Sequence, residues 1–133
     1  DEAILLNHDG TVSEGSGENL FLIQAGRIST PSETDNCLLG ITRDSIITLA
    51  RQELGIDIVE RRIHRSELYL ADELFLTGTA AHVTPVGSVD DRDIAGGGVG
   101  PTTGSLREIY AGVVTGNNPD YLHWCTAVAL ERP

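Results

Sequence analysis

The chain has 133 residues, 40% of them apolar and 22% charged, a composition suited to one globular domain with a real core. Its formal charge of −11 leaves no basic stripe, which argues against nucleic acid and anionic membrane surfaces as partners. It contains no lysine and no methionine, and its two cysteines, Cys37 and Cys125, match no metal or redox spacing, so a reduced, cytoplasmic setting is expected.

Asp1 leads straight into a strand-like run over residues 2–7. Domains seldom begin in mid-strand, because first residues fray, and the chain therefore reads as the C-terminal piece of a longer polypeptide. Residues 3–6 and 11–13 flank His8-Asp9-Gly10, a hairpin signal, and residues 19–24 and 27–30 flank a second one at Ala25-Gly26. Residues 31–36 read as a polar loop. A helix is expected over 42–54, with Ile46, Ile47, Leu49, Ala50 and Leu54 on its apolar side and Gly55 just beyond its end.

Residues 56–60 alternate like a half-buried strand, and Ser66 is placed to cap a short helix through Leu70. A strand over 73–77 ends in Gly78-Thr79-Ala80-Ala81. Another covers 82–89, with Pro85 favouring an edge or a bulge. Residues 90–93 read as a turn and 96–101 as a flexible glycine-rich loop. In the last helix Leu106, Ile109, Tyr110, Val113 and Val114 keep helical spacing, Ser105 and Glu108 have capping-box spacing, and Gly116 is the stop. Beyond Pro119, Tyr121, His123 and Trp124 are expected to anchor the tail.

Three segments could carry chemistry. Ser13-Glu14-Gly15-Ser16-Gly17-Glu18-Asn19 sets a carboxylate beside glycines that permit close approach of a ligand. A buried Glu against a heterocyclic nitrogen would keep that nitrogen protonated; the alternative is a plain turn with acids facing water. Leu38-Leu39-Gly40-Ile41-Thr42-Arg43-Asp44 lies at a helix start, where free N–H groups and the helix dipole suit a phosphate, although Thr42 could equally be a simple cap. Gly78-Thr79-Ala80-Ala81 lets a ligand approach backbone N–H groups at a strand end, or merely bends the chain. The four histidines lack metal-ligand spacing, and no nucleophile elbow or nucleotide-binding fingerprint is present.

Taken in order, these segments resemble fold-type IV enzymes that use pyridoxal 5'-phosphate, and most closely the branched-chain amino-acid aminotransferases. The likeness rests on Ser13-Glu-Gly-Ser-Gly-Glu-Asn-Leu-Phe21, Gly40-Ile-Thr-Arg-Asp44, Glu67-Leu-Tyr-Leu-Ala-Asp-Glu73, and Thr77-Gly-Thr-Ala-Ala81 through Thr84-Pro85-Val86. Gly100-Pro101 and the tail from Tyr121 to Val128 also fit, so the resemblance covers nearly the whole chain.

The resemblance implies that Glu14 pairs with the pyridine nitrogen and that Leu38 packs on the ring face. Ile41 and Thr42 would hold the phosphate through backbone N–H groups, aided by the Thr42 and Thr79 hydroxyls. The Thr79 and Ala80 N–H groups would face the substrate carboxylate. The family's Schiff-base lysine would lie before Asp1, together with the small N-terminal domain and a phosphate-binding arginine. His82 stands where many branched-chain enzymes have Glu.

The implied fold is mixed α/β: a twisted sheet or pseudo-barrel with flanking helices, a single domain over 1–133 forming the C-terminal part of the cofactor domain. The implied reaction moves an amino group between branched-chain L-amino acids and 2-oxoglutarate, within a homodimer or larger homo-oligomer. D-amino-acid aminotransferase, aminodeoxychorismate lyase and a non-catalytic cofactor-binding fragment are the alternatives.

Overall fold

The computed structural model describes residues 2–128. Strands β1 (Ile4–Leu6) and β2 (Val12–Gly15) form the first expected hairpin. Strands β3 (Asn19–Gln24) and β4 (Arg27–Thr30) form the second. Its Ala25-Gly26 turn has φ of 49° and 73°, the doubly left-handed geometry that matches strand twist.

The polar segment after β4, expected as a loop, is partly ordered and buried. It closes through a 3-10 turn at Glu33–Asp35, and Asp35 is 1% exposed. Its carboxylate accepts the Ser32 N–H at 3.0 Å, the Ser32 hydroxyl at 2.6 Å and Arg62 Nε–H at 3.1 Å. These partners offset the cost of burying the charge.

Helix α1 spans Ile41–Leu54 and stops at Gly55, whose φ is 66°. Its N-cap is Gly40 with no side-chain cap; Thr42 is the second helical residue and does not cap. Strand β5 (Ile58–Glu60) pairs with β4 in parallel, and α1 is the crossover that a parallel pair requires. The short helix α2 (Arg65–Leu68) is capped at His64, not Ser66, and ends two residues before Leu70. There Glu67 Oε1 accepts the His64 N–H at 2.8 Å, so the acid three residues downstream decides the start.

Strand β6 (Glu73–Gly78) is followed by β7 (His82–Pro85). The strand expected over 82–89 divides in two: β8 (Ser88–Val89) pairs instead with β9 (Arg92–Asp93) around Asp90 and Asp91, both at positive φ. Pro85, at the end of β7, lies on a sheet edge as expected. The segment expected as a flexible loop contains a 3-10 turn at Ala95–Gly97.

Helix α3 runs Pro101–Val114 and begins well before a Ser105 cap would allow. Ser105 lies inside the helix and donates to the Pro101 carbonyl at 3.0 Å. The cap comes from β6: Glu73, 5% exposed, accepts the Thr102 and Thr103 N–H groups at 3.1 and 2.8 Å. The tail forms a 3-10 turn, Pro119–Trp124, in which Tyr121 is buried while Trp124 is 40% exposed.

The central sheet has the order β5-β4-β3-β6-β7. On one face Phe21, Ile23, Ile28 and Phe75 pack against Ile46, Leu49 and Ala50 of α1 and Leu106 and Val113 of α3. On the other, Leu20, Leu22, Leu74 and Leu76 meet Val12, Ile63, Leu68 and Ile94. Both β3 and β6 are thus buried on two sides, which explains their unbroken apolar sequence. Phe21 and Phe75 are cross-strand partners with ring centroids 4.8 Å apart, and burying each contributes about 1.5–3 kcal/mol. The architecture is mixed α/β, a twisted sheet with flanking helices. Among the described residues no helix is long and apolar enough to cross a membrane.

Candidate functional site

Register brings three distant segments to one end of this sheet. Asn19, the first residue of β3, pairs with Thr77 near the end of β6. The β2–β3 turn closes tightly, with the Gly15 N–H donating to the Glu18 carbonyl at 2.7 Å, and leaves Glu14 beside Asn19. The N-terminus of α1 completes the group. Glu14, Leu38, Ile41, Thr42 and Thr79 all line one cavity of about 340 Å³. Ala80 does not; it borders a neighbouring cleft with His82, Arg107 and Tyr110.

Glu14 is half-buried, and its Oε2 accepts the Leu38 N–H at 2.8 Å. It is neither a fully solvated turn acid nor an isolated buried charge. The backbone N–H groups of the first α1 turn have no side-chain cap, and the helix dipole adds positive potential there. Thr42 is 4% exposed, with its Oγ1 3.4 Å from Tyr110 Oη. Leu38 is 73% exposed and Ile41 86%, so an apolar rim borders the cavity.

Arg43 belongs to the scaffold. It is 4% exposed, donates to the Pro31 carbonyl at 3.0 Å and pairs with Glu60 at 2.6 Å, pinning the first turn of α1 to the end of β4 and to β5. Cys37, next to Leu38, is buried, and that burial pushes its thiol pKa up. A raised thiol is a poor nucleophile, in keeping with its lack of a catalytic motif.

Three residues at the site escaped the sequence reading. Thr77 is 1% exposed, lines the cavity, and its buried Oγ1 has no hydrogen-bond partner among the described residues. Glu18 also lines it, with a buried Oε2 that has none; burial, then the neighbouring Glu2 carboxylate, raises its pKa. Asn19 is 5% exposed and donates from Nδ2 to the Leu38 carbonyl at 2.6 Å. All three stood inside recognised motifs, but only the β3–β6 register reveals that Glu18 and Asn19 join Thr77.

An anionic group would satisfy the N–H donors at the α1 start, and a protonated ring nitrogen would donate to the Glu14 carboxylate. The unpartnered Thr77 hydroxyl offers one more donor to an occupant. The residues present therefore fit a phosphorylated heterocycle.

A family model described as amino-transferase class IV matches residues 1–89. A probable branched-chain-amino-acid aminotransferase of Aquifex aeolicus is 54% identical over 96% of this chain and 41% of its own length. The branched-chain-amino-acid aminotransferase of Pseudomonas aeruginosa is 50% identical over the same shares. Among solved structures, the T.th. branched-chain amino acid aminotransferase complexed with N-(5'-phosphopyridoxyl)-L-glutamate superposes with a TM-score of 0.92. It is 49% identical, over 97% of this chain and 43% of that one. The Thermobaculum terrenum enzyme in its PLP form gives 0.91 at 45% identity, over 95% of this chain and 41% of that one. The chain thus spans about two fifths of the length of the curated relatives it matches, 41% for the first two.

Proposed function

This chain belongs to the amino-transferase class IV family, and on that premise we propose that it forms the C-terminal part of the cofactor domain of a pyridoxal-phosphate-dependent aminotransferase. The whole enzyme moves an amino group between branched-chain L-amino acids and 2-oxoglutarate, and works as a homo-oligomer in the cytoplasm. One observation carries the reading: Glu14, the uncapped start of α1 and Thr79 converge on a single cavity.

Each residue then has a task. The N–H groups of Ile41 and Thr42 and the hydroxyls of Thr42 and Thr79 bind the phosphate, with the helix dipole adding to the attraction. Glu14 holds a proton on the ring nitrogen, since an opposite charge nearby favours the ionised pair. Leu38 covers one ring face and keeps water from it. The Thr79 N–H group orients the substrate carboxylate; Ala80, which borders the neighbouring cleft, takes no part. Bound pyridoxal phosphate supplies the electron sink that amino-group transfer needs.

The chain has no lysine, so it offers no side-chain amine for a covalent link to the cofactor. By itself it is a cofactor-binding segment without turnover. Assaying the whole polypeptide with L-leucine, D-alanine and aminodeoxychorismate tests the reading. Turnover of L-leucine with 2-oxoglutarate supports it; turnover of D-alanine with none of L-leucine sinks it.

A further inference from the structure

We propose that Asn19 is a positioning residue of this site, holding Leu38 and the Glu14 carboxylate in the places that a cofactor ring requires. The proposal rests on the cofactor reading above. Asn19 Nδ2 donates to the Leu38 carbonyl at 2.6 Å and makes a longer contact, 3.5 Å, to Glu14 Oε2. The same carboxylate oxygen accepts the Leu38 N–H at 2.8 Å. Leu38 is therefore gripped at its carbonyl by Asn19 and at its N–H by Glu14. Its side chain, otherwise 73% exposed, is fixed as one wall of the cavity.

The other end of the carboxamide is placed just as tightly. A Cβ at position 40 would overlap Asn19 Oδ1, so the glycine N-cap of α1 is what admits it. Asn19 itself is fixed by its pairing with Thr77 and by its burial, being 5% exposed. One amide thus ties together the end of β2, the approach to α1 and the β3–β6 ladder. A buried amide whose Nδ2 makes both of these contacts has one low-energy orientation, because turning it would strand that donor. That orientation sets where Glu14 points, and so how firmly it holds a ring-nitrogen proton.

The test uses the whole polypeptide that contains this chain, loaded with pyridoxamine 5'-phosphate, with the ring nitrogen labelled with 15N. Affinity is read by titration, and ring protonation by the nitrogen shift across pH. The chains compared are unsubstituted, Asn19→Ser, Glu14→Gln and the double variant, each checked for native circular dichroism. Asn19→Ser is expected to weaken binding about tenfold, the loss of one buried hydrogen bond. It should also lower the pH at which the bound nitrogen loses its proton by about one unit. In the Glu14→Gln background it should add no further change in nitrogen protonation, which a merely structural role would not produce. If Asn19→Ser does not fold, Gly40→Ala, which displaces Oδ1, is compared in the same cycle with the same expectation.

Unchanged nitrogen protonation in a folded Asn19→Ser chain overturns the proposal while leaving the cofactor reading intact. So does a protonation change that persists undiminished beside Glu14→Gln. Failure of the unsubstituted chain to bind overturns the cofactor reading, and this proposal with it.

Discussion

Glu73 caps a helix from a distant strand: its Oε2 accepts the Thr103 backbone N–H at 2.8 Å while Oε1 takes that of Thr102 at 3.1 Å. Gly100 makes this possible, since any Cβ there would overlap the Glu73 carboxylate. The contact locks α3 onto β6, the strand that ends at Thr77 and Gly78 in the site.

Replacing Glu73 by Ala should cost about 2–3 kcal/mol, because two buried N–H groups lose a charged acceptor. Urea unfolding measures it. Gly100→Ala should destabilise by a similar route, by displacing the carboxylate. A Glu73→Ala loss below about 0.5 kcal/mol, typical of an ordinary surface position, would refute the capping role.

Thr42→Val removes the hydroxyl assigned to the phosphate and keeps the shape. Pyridoxamine 5'-phosphate should bind about five- to tenfold more weakly, one hydrogen bond's worth. Thermal stability should fall little, since Thr42 is not the helix cap. Equal affinity in a titration of the two chains would remove Thr42 from the phosphate site.

Two carboxylates give opposite pH dependences. Burial, then Glu2, raises the Glu18 pKa, so the folded chain keeps that proton to higher pH than the unfolded chain does. Its contribution therefore worsens as pH rises through the window between the ordinary Glu value and the raised one. Glu18→Gln should raise the Tm at neutral pH, with the gain shrinking toward about pH 4, the ordinary Glu range.

Asp35 behaves the other way. Burial pushes its pKa up, but the Ser32 hydroxyl and N–H and the Arg62 guanidinium outweigh that and hold it below the usual carboxylate value. Its stabilisation is present above the ordinary Asp range and is lost as pH falls through the lowered value. Asp35→Asn should lower the Tm at neutral pH and leave the two chains closer in acid, below the ordinary Asp range. Equal gaps in both conditions would contradict the assignment.

Local signals were legible in the sequence. The two hairpins, the Gly55 stop and the apolar runs of β3 and β6 follow from turn chemistry and periodicity within a few residues. Five residues named for the cofactor do line one cavity: Glu14, Leu38, Ile41, Thr42 and Thr79. What escaped depends on contacts across the fold. Ser105 looked like a cap because its spacing was right, yet the real acceptor is Glu73 on a distant strand. Residues 31–36 read as a polar loop because the contact of Asp35 with Arg62 spans distant sequence, and Asn19 read as the start of a strand without its partner Thr77.

The central claim is that the start of α1, Glu14 and Thr79 hold a pyridoxal-type cofactor. Amide nuclear magnetic resonance of the chain titrated with pyridoxamine 5'-phosphate tests it most directly. Saturable shifts centred on Leu38, Ile41, Thr42 and Thr79 are the predicted result. No saturable shift there, or shifts centred on the cleft of His82, Arg107 and Tyr110, would contradict it.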